Sequence, residues 1–332
     1  MSEIGGEGSE LTAQSGLPAG ATAERPEPAV SVVTPVYNEE ANLERLYERL
    51  DRVLKGLDRS FEVIFVDDGS RDRSLAILRR LQEKSEQVRV IQLNRNYGQH
   101  AAVFAGLEHA RGAVIVTLDA DLQNPPEEIP RLLDKIAEGH DVVGGWRRDR
   151  QDHAVRRAFS WAVNQFTSHL VGVQMRDYGC MLRAYRREVV EVLKGCSELS
   201  SFIPALANSF AGSPAEIPVG HDRRSMGRSK YSPFRLVRLN FDLMTGFSLL
   251  PIQCVSLAGI GISLLGVAFG GFLMLRRLLL GPELEGVFTL FAILFIFVGI
   301  QILALGLIGE YIGRIYMEVR RRPRYVIQRI FQ

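Results

Sequence analysis

Two stretches without a charged residue or a histidine, Leu243 to Leu275 and Gly286 to Gly309, constrain this chain more than any other feature. A helix needs roughly 20 apolar residues to cross about 30 Å of hydrocarbon. Both stretches are long enough, and the link between them, Arg276 to Glu285, is short and holds Gly281-Pro282, a turn signal. The expectation is a two-helix membrane hairpin, with spans at about 248–275 and 286–309, rather than a hairpin buried in a soluble core.

The flanks orient it. Arg228, Lys230, Arg235 and Arg238 precede the first span, and Arg314, Arg320, Arg321, Arg322 and Arg324 follow the second. The connecting loop has only Arg276 and Arg277. The positive-inside rule then places both ends in the cytosol, where the arginines meet anionic headgroups. The net charge of +2 conceals this asymmetry, because residues 1–28 hold five glutamates against Arg25 alone. That opening segment is rich in Gly, Ser, Ala and Pro, has few large apolar side chains, and reads as a disordered tail. It lacks the apolar core of a signal peptide, so the domain after it is expected to begin in the cytosol. Cys180, Cys196 and Cys254 show neither metal-ligand nor redox spacing and read as reduced thiols.

Residues 29–231 form the candidate soluble domain, and 232–332 the juxtamembrane and membrane region with a basic cytosolic tail. Short β-rich runs at Ala29–Thr34, Phe61–Val66, Val88–Leu93, Ala113–Leu118 and Asp141–Gly145 alternate with helical patterns. The helices are expected over Glu39–Leu57, Arg71–Lys84, Gln99–Ala110 and Glu127–Ala137. Such alternation predicts an α/β fold with a mainly parallel sheet covered on both faces. Ligands of these sheets bind beyond the carboxyl ends of the strands.

The strand ends carry chemistry. After the first run come Pro35, Tyr37, Asn38 and Glu39. Asn38 suits a helix N-cap, while Pro35 and Tyr37 suit a wall beside a nucleotide base. After the second, Asp67-Asp68-Gly69-Ser70 reads either as a turn with Ser70 as N-cap or as an acceptor for base or ribose hydrogens. After the third, Arg95 and a helix start near Gly98 suit a diphosphate; His100 is assigned no chemistry. After the fourth come Asp119, Asp121 and Gln123, which alternation along a strand would aim at one spot. Carboxylate and amide oxygens suit Mg²⁺ or Mn²⁺. No Walker or dinucleotide-type glycine loop is present, which argues against ATPases and dehydrogenases. Nine arginines between Arg147 and Arg187 face three aspartates, interleaved with Trp146, Phe159, Trp161 and Phe166. That composition fits a membrane surface, and beside two spans it favours a lipid phosphate over nucleic acid.

The ordered set "PVYNE", "DDGS", "RNYGQH", "DADLQNPPEEIP", "DYGCMLRAYRR" and "GRSKY", followed by two spans, resembles the polyprenyl-phosphate glycosyltransferases of family 2, with a GT-A (Rossmann-like) domain. The likeness is strongest to the branch that transfers 4-deoxy-4-formamido-L-arabinose to undecaprenyl phosphate. The resemblance implies an inverting transfer from a UDP-sugar to undecaprenyl phosphate, at the bilayer of a bacterial inner membrane, giving a lipid-linked sugar for envelope glycan or lipid A modification. It implies that Pro35, Tyr37, Glu39, Asp68 and Asp119 line the nucleotide site, and that Asp121 and Gln123 hold the cation. Arg147, Arg156, Arg157 and Ser160 would form the acceptor-phosphate pocket, closed by Arg228 and Lys230. Asp177 takes a catalytic assignment, as base or as an orienting group. A homo-tetramer is a further expectation from relatives. A glucosyl or mannosyl transfer is the alternative, ahead of a processive polysaccharide synthase, whose Gln-x-x-Arg-Trp motif is missing, or a non-enzymatic scaffold.

Overall fold

The structure, a computed structural model, describes residues 27–147, 180–196, 202–220, 250–280, 287–320 and 323–332. Five strands and four helices appear where hydrophobic periodicity places them: β1 (Val30–Val36), α1 (Leu43–Lys55), β2 (Phe61–Asp67), α2 (Ser74–Lys84), β3 (Val88–Leu93), α3 (Gln99–His109), β4 (Val114–Thr117), α4 (Ile129–Ala137) and β5 (Val142–Arg147). Then follow β6 (Arg183–Arg186), α5 (Arg187–Gly195), α6 (Ile203–Phe210), β7 (Pro214–Val219), α7 (Leu250–Leu280), α8 (Val287–Val319) and β8 (Ile327–Phe331). One sheet has the order β7-β5-β6-β4-β1-β2-β3-β8. It is parallel except that β6 runs against β4 and β5, and β8 against β3.

Alternation along the strands separates two apolar layers. Val32, Val63 and Phe65 face α1, α2 and α4, whose buried stripes include Leu43, Leu46, Leu50 and Leu54 and Ile129, Leu132, Leu133 and Ile136. Val33, Ile64, Val66 and Ile91 face α3, α5 and α6. Helix α3 lies close against β1: a Cβ on Gly106 would stand 2.2 Å from Val33 Cγ1.

Several expected helix starts move inward. Asn38 is no N-cap; it sits in the left-handed region at φ 56°, and α1 begins at Leu43. Ser70 is no N-cap either, since α2 begins at Ser74. The Asn38 and Ser70 side chains bond across to the neighbouring loop, and it is Asp72 whose Oδ1 accepts from the Ser74 N–H at the start of α2, at 2.9 Å.

Helices α7 and α8 are long and apolar enough to cross a membrane, over Ile252–Phe272 and Ile296–Gly313. Neither window is buried, and side chains such as Leu265 and Leu303 stand about 70% exposed, so among the described residues these helices pack into no core. Arg276 and Arg277, expected in the turn, continue α7 to Leu280.

After α8 the chain returns to the sheet. A register shift between Gln92 and Leu93 gives β8 one extra residue. Ile327 and Ile330 therefore reach the α3 layer, although an unbroken strand would put them on opposite faces, and Phe331 reaches the other layer.

At the amino edge of the sheet, Glu62 is 2% exposed. It accepts from the Ser31 hydroxyl at 2.7 Å and pairs with Arg89 at 3.1 Å and Arg111 at 3.0 Å. Burial opposes its charge, but Ser31, the Arg111 N–H and the two guanidiniums outweigh burial and hold its carboxyl below the usual range. Breaking a buried ion pair typically costs about 3–5 kcal/mol, so Glu62→Ala should lower the thermal midpoint of the solubilised protein by several degrees. The depressed carboxyl contributes stability that is present above its unfolded value near 4.5 and lost as pH falls through its folded value. Glu62→Gln should remove that acid-dependent loss from melts taken across pH 3–5, and an unchanged acid profile would assign the loss elsewhere.

Candidate active site

Strand order reverses between β4 and β1, and the polar loops gather beyond the carboxyl ends of β1, β2, β3 and β4. These loops are tied to one another by side chains. Between the β1 and β2 loops, the Asn38 N–H donates to Ser70 Oγ at 3.1 Å and the Arg71 N–H returns to Asn38 Oδ1 at 2.8 Å. Glu39 N–H donates to Ser74 Oγ at 2.9 Å, and Glu40 N–H to Asp72 Oδ2 at 3.2 Å. The Glu39 carboxylate accepts from the Asn42 amide at 2.6 Å. Pro35 is half-buried near the end of β1, and Tyr37, just beyond it, is 36% exposed.

The β2 and β3 loops join through Asp68, which is 2% exposed. Its Oδ1 accepts from the Tyr97 N–H at 2.7 Å and its Oδ2 from the Gly98 N–H at 2.9 Å. Both oxygens are thus engaged with the start of α3, a use that the turn-or-ribose reading did not anticipate. Burial pushes the Asp68 and Asp67 carboxyls up, against the hydrogen bonds that favour their charge. Gly69, at φ +67°, brings the loops into contact: a Cβ there would lie 2.5 Å from the Arg95 carbonyl carbon. Arg95 stacks over Tyr97 at 4.8 Å, close to the N-terminus of α3. His100 has its Nδ1 buried and packs edge-on against Phe202; burial lowers its pKa to about 4, so it is neutral at pH 7 and supplies no cation.

The acidic motif follows β4 but is not itself a strand. The ladder ends at Thr117, and Leu122 takes φ 62°, so the chain turns between Asp121 and Gln123. The expected alternation therefore does not aim these side chains. Instead the Gln123 N–H donates back to Asp121 Oδ1 at 3.1 Å, and Asp119, Asp121 and Gln123 lie half-buried around a tight turn. Gln99 Nε2 donates to Asp119 Oδ1 at 2.6 Å, and Asn124 Nδ2 reaches Asp119 Oδ2 at 3.5 Å. Asn124, 4% exposed, in turn meets the Cys180 thiol at 3.6 Å. Gln99 and Asn124 were missed as site residues. Both lie inside quoted motifs, yet an amide in a loop gives no sign in sequence of which carboxylate it will meet.

Arg147 ends β5, half-buried opposite Val219. Arg183, fully buried on β6, donates through Nε to the Cys180 carbonyl, and Gly144 leaves room for its guanidinium. Arg156, Arg157, Ser160, Asp177, Arg228 and Lys230 lie outside the described residues.

A doubly wound sheet with a two-aspartate turn at its switch point has the layout of a GT-A glycosyltransferase domain. The profile of glycosyl transferase family 2 matches residues 31–193, and the chain belongs to that family. It is 53% identical to undecaprenyl-phosphate 4-deoxy-4-formamido-L-arabinose transferase of Pseudomonas aeruginosa, over 91% of this chain and 90% of that one. The transferases of the same name from Shewanella sediminis and Klebsiella pneumoniae are 53% and 51% identical, over 91% of this chain and 92% and 93% of theirs. Among solved structures, glucosyl-3-phosphoglycerate synthase of Mycobacterium tuberculosis with Mn²⁺, UDP and glucosyl-3-phosphoglycerate is 18% identical, at a TM-score of 0.46 over 66% of this chain and 78% of that one.

The Gln99–Asp119 bond is exposed, so its loss costs the fold little, but it restrains a carboxylate of the site. Gln99→Ala should therefore lower kcat/KM for the sugar nucleotide by roughly ten-fold with at most a small change in melting temperature. Unaltered kinetics would show that Asp119 needs no such restraint.

Proposed function

We propose that the protein transfers a sugar from a UDP-sugar, with inversion, to undecaprenyl phosphate at the cytosolic face of a bacterial inner membrane. The observation that carries this reading is the conjunction of the Asp119–Gln123 turn at the switch point with two apolar helices in one chain. The donor sugar is 4-deoxy-4-formamido-L-arabinose, by the name of the relatives that match over nine-tenths of the chain. The product is then a lipid-linked aminosugar precursor for lipid A modification.

In this reading Pro35, Tyr37, Glu39, Asp68 and Asp119 form the nucleoside side. Tyr37 offers an exposed ring, while Asp68 acts chiefly by fixing the Tyr97–Gly98 amides at the start of α3. Asp121 and Gln123 hold Mg²⁺ or Mn²⁺. The donor set fits: Mg²⁺ is usually held by one or two carboxylates together with substrate phosphates, without an all-protein cage. The bound cation supplies Lewis-acid charge to the departing diphosphate. Arg95 and the α3 N-terminus add fixed positive charge on the same side.

The acceptor side is assigned to Arg147 with Arg156, Arg157 and Ser160, and Arg228 and Lys230 close over it. A phosphate monoester has a second pKa near 6 and is largely dianionic at pH 7. It needs positive charge to bind and orient it more than it needs a base. Asp177 is accordingly read as an orienting group.

A panel of UDP- and GDP-sugars with undecaprenyl phosphate, read by mass spectrometry of the lipid, tests the reaction. Transfer from UDP-formamido-arabinose alone is expected; transfer from a glucose or mannose donor instead would replace the sugar assignment. In the same assay Asp121→Asn should lower turnover by roughly 100-fold or more with the protein still folded, and near-normal turnover would remove Asp121 from the cation site. Arg147→Ala should raise KM for the lipid phosphate by roughly ten-fold while leaving UDP affinity alone. A selective loss of UDP binding would place Arg147 on the donor side.

A further inference from the structure

Strand β8 pairs antiparallel with β3, so its first residue stands at the last residue of β3: Ile327 faces Leu93. One residue earlier, the Val326 carbonyl accepts from the Asn94 N–H at 3.1 Å. Asn94 opens the loop whose Tyr97 and Gly98 amides hold Asp68 and whose Gln99 holds Asp119. The chain leaving the membrane helix therefore joins the sheet at the carboxyl edge, where the site lies.

The reach is short. Helix α8 ends at Val319, and Arg320 is six residues from Val326. Six extended residues span at most about 21 Å. The apolar window of α8 ends at Gly313, and the remaining turn and a half of the helix, with Arg314 and Glu318, rises about 1.5 Å per residue toward Val319. The segment before β8 is fastened as well as short. Arg324 lies over the Phe104 ring at 4.2 Å and donates to the Cys196 carbonyl, while Tyr325 donates to the Glu108 carboxylate. Burial and the Glu108 charge push the Tyr325 phenol up, so it stays protonated as the donor.

The geometry points to residues 323–331 as a fixed strut that sets the height and tilt of the donor site over the bilayer, with Arg324 and Tyr325 as positioning residues for the lipid-borne acceptor. An α/β sheet does not need this strand for its core, whose two layers are filled chiefly by the other strands and helices. Its register instead joins the membrane helix to the one edge from which the reaction is served. A lipid phosphate diffuses in a plane, so a site held at constant height meets it without a search in the third dimension.

This inference rests on the lipid-phosphate reading of the acceptor. The test compares the full-length wild type with two variants: a six-residue Gly-Ser insertion between Arg322 and Pro323, and the double substitution Arg324→Ala/Tyr325→Phe. Each is assayed with undecaprenyl phosphate in liposomes and with a water-soluble short-chain prenyl phosphate, and UDP affinity is measured alongside. The expected result is a loss of ten-fold or more on the liposomal acceptor, within two-fold of wild type on the soluble one, at unchanged UDP affinity. Equal losses on both acceptors would make the segment a folding element, and no loss on either would make the strut dispensable; both overturn the inference. Wild type inactive on both acceptors would instead refute the acceptor reading itself.

Discussion

The buried carboxylate of Asp68 is the interaction on which the site depends. Two backbone N–H groups from one loop converge on the first residue of another, at 2% exposure. Around this bond the β1 and β2 loops are joined by Asn38, Ser70, Glu40 and Asp72, and the β4 turn is drawn in by Gln99. Four loops thus act as one body before any ligand arrives. That is what electrostatic stabilisation of a leaving diphosphate requires, because charges that must first reorganise are worth far less than charges already in place.

The same economy of side chains explains what sequence alone could convey. The core strands β1 to β5 are apolar runs between turn signals and were legible to within two or three residues at most ends. Strands β6 and β8, "RAYR" and "IQRIF", carry arginines and lie among or beside other strands antiparallel to them, so no alternation announces them. Helix starts were read too early because Asn38 and Ser70 look like caps in isolation but bond across loops in three dimensions. The acidic motif was legible in its chemistry and not in its geometry. A left-handed Leu122 has no local signature, and it converts an expected strand face into a turn.

The proposed donor and acceptor functions divide between different parts of the chain. The donor side is built almost wholly from described loops at the carboxyl edge. Arg147 stands at the end of β5, separated by β6 from the β4 turn, where in the proposed reading an acceptor would approach from the side opposite β2 and β3. Asn124 lies between the two halves, touching Asp119 on one side and Cys180 on the other, and Cys180 opens the segment that leads into β6.

Strand β2 carries a buried acid at each end, and their environments differ in sign. Glu62 at the amino edge has two guanidiniums and a hydroxyl, which outweigh burial and hold its proton off to low pH. Asp68, just past the carboxyl edge, has uncharged N–H donors and the neighbouring Asp67 charge, so burial prevails and pushes its carboxyl up. The charged form is thus disfavoured in the loop lock of the site and favoured in the ion network of the frame. An arginine paired with Asp68 would have held its carboxyl down, as Arg89 and Arg111 hold that of Glu62. Uncharged amides hold the lock with no counter-charge, and the raised Asp68 carboxyl is the physical consequence.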